Sequence, residues 1–277
     1  MLALSPRVVD AVWAAVALRI PKHRPRPHPL GCHRPRIPDR ACFEGILCRL
    51  VTGCSWDVAG RISHTSESTL RRRRDAWVAA GVFCGLVEEA LAAYDRIIGL
   101  VLDDLAVDGS QHKAPVGGEG TGPNCTDRGR SGWKWSIATG SDGIPVGWVS
   151  AAANRNDCTL LASTLDAVAQ RGLLLDVETV HLDRGYDYDF VRAACTERGV
   201  DHVIPRVRPR GRAHRKRAVP LGLRWPVERT NSWLTNFGQL RRNTDRYPHQ
   251  RDAALELAIT LIITVKLVKW ANRWQPQ

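Results

Sequence analysis

From residue 99 onward the apolar residues of this chain change period, and that change limits the fold more than any other feature. Before it, "SPRVVDAVWAAVALRI" (5–20) and the stretch 41–83 space their apolar residues as helices do, with Ser5 as a cap and Pro6 in a first turn. After it, the apolar runs are short and of β type. "LVLDDLAVDG" predicts a strand ending near Asp108, and "GWKWSIATGSDGIPVGWVSAA" a hairpin turning at Ser141, Asp142 and Gly143. "DVETVHLD" predicts a strand ending at Asp183, and "DHVIP" a further short one. Helices are expected at roughly 157–171, 187–199, 225–238 and 250–272. A hairpin followed by alternating helix and strand makes a mixed α/β sheet with helices packed on it. The expected division is therefore a helical domain over 1–98 and an α/β domain over 99–277.

Within the helical part, "PKHRPRPHPLGCHRPRIPDR" (21–40) carries six prolines and is neither helix nor central strand. It reads as a basic linker, either a solvated connector or an arm laid along DNA. The residues after it, "ACFEGILCRLVTGCSWDVAGRISHTSESTLRRRRDAWVAAGVF", predict a helix, a short helix, a turn and a longer helix at 66–80, which is a helix-turn-helix pattern. The longer helix carries Arg71, Arg72, Arg73 and Arg74; four consecutive residues span about one turn, so these charges point all round it. They are expected to meet DNA phosphates and base edges.

Charge supports a polyanionic partner. The 277 residues carry 40 Lys and Arg against 28 Asp and Glu, a formal charge of +12 with pI about 9.8, which favours nucleic acid. Eight cysteines show neither C-x-x-C nor zinc-ligand spacing and read as reduced core side chains of a cytoplasmic protein. The most apolar run, "LAITLIITV" (257–265), is flanked by Glu256, Lys266 and Lys269 and is too short to span a bilayer, so no membrane partner is expected. Arg7, Asp10 and Arg19 make the first twenty residues unlike a signal peptide.

The chemistry is expected in three acids. Asp108 and Asp183 each close a predicted strand, where sites form in open α/β sheets. Two such carboxylates repel unless a cation lies between them, and Mg²⁺ prefers carboxylate oxygens. In "LRWPVERTNSWL", Pro226 suits a first helical turn and Glu228 follows one turn in. Arg224, Glu228, Asn231 or Ser232, and Thr235 share one stripe; Val227, Leu234 and Phe237 share an apolar one. Singly, each acid also fits a plain role as turn, cap or helix-dipole partner. Together, in three separate local motifs, they weigh more.

"LAVDGS…TGPNCTDRGRSGWKWSI", "HLDRGYDYDFVRAACTERGVDHVIP" and "RWPVERTNSWL" resemble the three catalytic boxes of DDE transposases, most nearly bacterial insertion-sequence family five, related to family four. The leader "FEGILCRLVTGCSW" resembles that family's helical start, so the likeness runs from about residue 41 to 270. The resemblance implies a ribonuclease-H-like catalytic fold and two Mg²⁺ ions, with Mn²⁺ able to substitute, held by Asp108, Asp183 and Glu228. It implies hydrolysis at the element's ends and attack of the freed 3′-hydroxyl on target DNA. It implies double-stranded DNA as partner, both terminal inverted repeats and target, and a homo-oligomer in the active complex. Relatives carry Tyr and Lys around the third acid where this chain has Leu221 and Thr235. DNA contacts are expected from Arg128, Arg130 and Lys134 after the first box, from the basic stretch 206–220 with Arg206, Arg208 and Arg210, and from Arg224 and Arg229. Trp133, Trp135, Trp225 and Trp233 read as core side chains rather than base-stacking ones. Two other readings are a catalytically dead helix-turn-helix regulator, against which the retention of all three acids argues, and a ribonuclease-H-like nuclease, which the helix-turn-helix disfavours.

Overall fold

The computed structural model describes residues 4–23, 35–205 and 223–274; Arg206, Arg208, Arg210 and Leu221 lie outside the described residues. The chain forms two compact units. One comprises the chain up to Ile98 together with the chain from Leu234 on, and the other runs from Gly99 to Trp233.

The first unit is helical. Its elements are α1 (Pro6–Arg19), α2 (Asp39–Thr52), α3 (Trp56–Ile62), α4 (Glu67–Ala79) and α5 (Val82–Ile97), joined by the later α9 (Gly238–Arg241) and α10 (Pro248–Arg273). Ser5, Ser55 and Ser66 cap α1, α3 and α4, each hydroxyl accepting a backbone N–H from the first turn. Gly53 ends α2 at φ 71, and an added Cβ would lie 2.6 Å from the Gly238 backbone, so only glycine fits. The helix α10 explains why residues from Leu234 on leave the sheet unit, against the expected 99–277 domain. Leu255, Leu257, Ile259, Leu261 and Ile263 are all buried, and α10 packs on α5 and α1, which supply the apolar surface. No single helix among the described residues is long and apolar enough to cross a membrane. Cys42, Cys158 and Cys195 are buried as expected, whereas Cys84 and Cys125 are exposed.

A buried ionic node ties this unit together. The Asp245 carboxylate accepts from Arg74 Nη1 at 3.0 Å and Gln239 Nε2 at 2.6 Å, with Arg49 Nη2 at 3.5 Å. Arg251 Nη1 donates to the Asp245 carbonyl, and the guanidiniums of Arg49 and Arg74 lie over the Trp56 ring at 4.4 and 5.0 Å. Burial lowers the pKa of Arg49, offset by the Asp245 charge.

The second unit is a sheet flanked by helices: β1 (Asp104–Lys113), β2 (Gly122–Asn124), β3 (Arg130–Thr139), β4 (Pro145–Ala152), α6 (Leu161–Ala169), β5 (Thr179–His181), α7 (Asp189–Thr196), β6 (Asp201–Val203) and α8 (Trp225–Thr235), whose last turn passes the unit boundary. β3 pairs antiparallel with β1 on one edge and with β4 and short β2 on the other; β5 runs parallel to β1 and to β6. Three antiparallel strands followed by two parallel ones form a ribonuclease-H-like sheet. β3 is buried without alternation from Gly132 to Thr139, as expected for a central strand covered on both faces. α6 packs on β4 and β3, closing so tightly that a Cβ at Gly147 would meet Val168 at 2.4 Å.

The node at Asp245 yields a stability prediction. Asp245→Ala would leave buried guanidiniums without their anion, and loss of one partner from such a set costs about 3–5 kcal/mol. Urea unfolding should show a drop of that order, whereas Asp57→Ala, at the exposed Arg61–Asp57 pair, should leave the midpoint close to wild type.

Candidate active site

The parallel register of β1 and β5 decides where the acids lie. Asp104 faces Thr179, Leu105 faces Val180 and Ala106 faces His181, an offset of 75 residues. The same offset carries Asp108 to Asp183, two residues beyond the last paired position. Asp108 is not at the end of its strand, as the sequence suggested. β1 continues to Lys113 because Gly109 to Lys113 keep pairing with β3, from Ser136 back to Gly132. Pairing with β5 stops at Ala106, so Asp108 stands where one neighbouring strand has ended. Asp183 leaves β5 and caps the next turn, accepting from Gly185 N–H at 2.7 Å.

Polar contacts hold α8, and Leu223 just before it, to the rest of the sheet unit. Thr230 Oγ1 donates to the Gly143 carbonyl at 2.6 Å, and Arg229 donates to the Asp142 carbonyl of the same hairpin turn. Leu223 N–H donates to His181 Nδ1 at 3.0 Å, which leaves Nε2 to donate to Asp104 at 2.7 Å. Trp135 Nε1 donates to Asn231 Oδ1 at 2.9 Å, which turns the amide nitrogen of Asn231 toward Asp108 Oδ2 at 3.4 Å. Glu228 is exposed on this helix and pairs with Arg224 at 3.1 Å. Arg224 also acts electrostatically on Asp108, so one guanidinium serves two of the three acids. The Arg229 guanidinium lies 4.3 Å from the Trp225 ring and 4.8 Å from that of Trp233.

Burial pushes Asp108 up to about 6; the Gly109 N–H and Arg224 oppose that rise, and the charges of Asp183 and Asp157 add to it. Asp157 was read in the sequence only as the start of a helix. It instead lies over the residue after the first acid: a Cβ at Gly109 would sit 1.9 Å from Asp157 Oδ1. Lys134 Nζ, 1% exposed, holds the same oxygen at 2.8 Å and donates to the Arg155 carbonyl at 2.8 Å. The only sequence signal for this was the glycine after Asp108.

Residues 100–263 match the family described as "Transposase DDE domain". The chain is a DDE transposase. Residues 8–87 match a second family, "Putative transposase of IS4/5 family". A curated relative, the putative transposase for insertion sequence element IS402 of Burkholderia cepacia, is 39% identical over 150 residues, which is 51% of this chain and 67% of that protein. Among solved structures, the piggyBac transposase synaptic complex with hairpin DNA aligns over 99% of this chain and 75% of its own, with 11% identity and a TM-score of 0.43. A pre-cleavage Mos1 transpososome aligns over 85% and 81% at 7% identity, with a TM-score of 0.29.

The transposase is thus an enzyme of DNA cleavage and strand transfer, and its family works with divalent metal ions. Its residues fit such an ion in part. The 75-residue register carries Asp108, on β1, toward Asp183, just past the end of β5, and burial raises the cost of charge on Asp108. Among the described residues, no three acid, His or Cys side chains stand close enough to hold a metal, and Glu228 pairs with Arg224.

The transposase's arginines divide sharply. Arg71 and Arg72 on α4 are exposed, and Arg72 lines a cavity of about 710 Å³ with Lys22, His23, Arg36 and His64. Arg73 and Arg74 are buried instead, against the expectation that the whole cluster meets DNA: Arg73 pairs with Asp39 and Arg74 with Asp245. Lys134 is likewise withdrawn from any DNA surface by Asp157. Arg128 and Arg130 are exposed, while Arg224 and Arg229 are partly covered. Trp133 and Trp135 are fully buried, with His112 stacked on Trp135 at 3.7 Å; burial holds that imidazole down to about 3. Trp225 is 53% exposed and is not a core side chain.

The raised pKa of Asp108 sets a pH dependence. Between 3.8 and about 6 the folded transposase binds a proton at Asp108 more readily than the unfolded chain, so this contribution lowers stability as pH rises through that window. Metal-free Asp108→Asn should lack that part of the slope. It should gain up to about 3 kcal/mol over wild type at pH 7 and nothing at acid pH, as read by urea unfolding.

Proposed function

We propose that Asp108, Asp183 and Glu228 are the catalytic acids of the transposase, holding two Mg²⁺ ions, or Mn²⁺, for cleavage at the inverted-repeat ends of an insertion sequence. The observation that carries this reading is the 75-residue register shared by the strand pairing and by the two aspartates. Bound divalent ions would supply Lewis-acid stabilisation of the phosphoryl group and an acidified water for an in-line displacement. The chain's own groups do the rest. Asn231, oriented by Trp135, steadies the Asp108 carboxylate with its amide N–H. Arg224 neutralises Asp108 and Glu228 while the cations are absent, and once Glu228 swings inward it is free to meet a DNA phosphate. The same centre serves a second step, in which the 3′-hydroxyl freed by hydrolysis attacks target DNA.

The helical unit is proposed to read the ends. Arg71 and Arg72 present α4 to duplex DNA, with Lys22, His23 and Arg36 beside Arg72. Arg128 and Arg130 are proposed to contact the backbone near the sheet. A homo-oligomer of the chain would act on paired ends, in the cytoplasm at the nucleoid.

Incubating labelled element ends with protein and Mn²⁺ tests the acids. Asp108→Asn, Asp183→Asn and Glu228→Gln should each lower cleavage by at least about a thousandfold, in the range for loss of a principal electrostatic group, with end binding retained. Normal cutting by any one would remove that residue from the mechanism. For DNA binding, Arg71→Ala with Arg72→Ala should weaken affinity and reduce the slope of log K against log salt by about 2, as for loss of two phosphate contacts. An unchanged slope would leave that face a solvated one.

A further inference from the structure

His181 ends β5 two residues before Asp183, and both of its ring nitrogens are engaged. Leu223 N–H donates to Nδ1 at 3.0 Å. A backbone N–H can only donate, so Nδ1 carries no proton. Nε2 carries it instead and donates to Asp104 Oδ1 at 2.7 Å. Asp104 thereby holds the ring in the tautomer that Leu223 requires. The bridge from β1 through β5 ends beside groups that serve the acids. Leu223 is followed by Arg224, whose carbonyl accepts from Glu228 N–H at 3.2 Å and so begins the first turn of α8. The Arg224 guanidinium pairs with Glu228 at 3.1 Å and lies within electrostatic range of Asp108. The contacts of Arg229, Thr230 and Asn231 with the sheet unit lie a turn further on. They fix the body of the helix, whereas the bond at Leu223 fixes the backbone from which the Arg224 side chain departs.

We propose that His181 is a positioning residue of the transposase: by accepting from Leu223 it sets the start of α8 and holds the Arg224 guanidinium where it reaches both Glu228 and Asp108. Every contact it uses is already made in the resting protein. This rests on the reading that Asp108 and Glu228 are catalytic acids. The two nitrogens of His181 do different work, so they can be separated by substitution. In His181→Gln the amide N–H stands in for Nε2 toward Asp104, and nothing accepts from Leu223. In His181→Asn the amide oxygen stands in for Nδ1 and still accepts from Leu223.

The test is cleavage of labelled element ends by the full chain with Mn²⁺, giving kcat and KM, with urea unfolding of each protein. His181→Gln should lower kcat by roughly ten- to a hundredfold at unchanged KM, as small misplacements remote from the chemistry do. His181→Asn should stay within about threefold of wild type, because the acceptor for Leu223 is kept. Adding His181→Gln to Arg224→Ala should lower kcat no further than Arg224→Ala alone, since both changes act through one guanidinium. Equal losses in His181→Asn and His181→Gln, multiplied losses in the double variant, or a raised KM in place of a lowered kcat would each overturn the proposal. Should His181→Gln fail to fold, Asp104→Ala decides, because it leaves the imidazole in place and removes only the partner that sets its tautomer: a lowered kcat at unchanged KM supports the role, and a wild-type kcat overturns it. Wild-type kcat in His181→Gln, with cleavage lost in Glu228→Gln, would overturn the role of His181 and leave the acids standing. Normal cleavage by Glu228→Gln would overturn the reading of the acids, and the role of His181 with it.

Discussion

The parallel pairing of β5 with β1 is the constraint on which the proposed active site depends. Parallel strands in register bring residues of equal offset to the same height and the same face, about 4.8 Å apart. Here that geometry aligns two aspartates separated by 75 residues, and it does so where β5 has stopped pairing. The antiparallel partner β3 continues beneath, so Asp108 sits on a strand held along its whole length on that side. Rigidity on one edge and an opening on the other are what a site needs if it is to hold charge and still admit a substrate.

Electrostatics then sets the resting state. Asp108 is buried beside other acids, and burial makes its ionisation costlier than that of a free carboxyl. Arg224 supplies part of that charge and keeps Glu228 at the rim. Lys134 answers Asp157 on the other side of the strand, since it pairs across from Gln111 and shares the face of Gly109. The site is thus divided into a carboxylate permanently neutralised by a buried lysine and carboxylates left for exchangeable partners.

Much of this was legible in the sequence. The cap at Ser5 and the hairpin around Asp142 and Gly143 act locally, and local chemistry can be read from neighbours in the chain. The apolar stripe of Val227, Leu234 and Phe237 is buried as its spacing implied. What escaped depends on distant partners. Four arginines in a row look alike until Asp39 and Asp245 claim two of them. Lys134 looked like a surface cation because Asp157, its partner 23 residues on, carried no mark beyond a helix start. The end of β1 was misplaced because Gly109 and Ser110 resemble a turn, whereas β3 extends the ladder through them.

The Asp245 node has a consequence for how the gene can be cut. Arg49 and Arg74 come from helices on either side of the helix-turn-helix bend, and their shared anion arrives almost two hundred residues later. The helical unit is consequently not assembled from the N-terminal residues alone. A product truncated before the closing helices would leave Arg49 without its anion, leave Arg74 with Asp75 alone, and lose α10 from the faces of α5 and α1. Frameshifted or prematurely stopped copies of such an element would yield no folded end-binding remnant to compete with the intact enzyme.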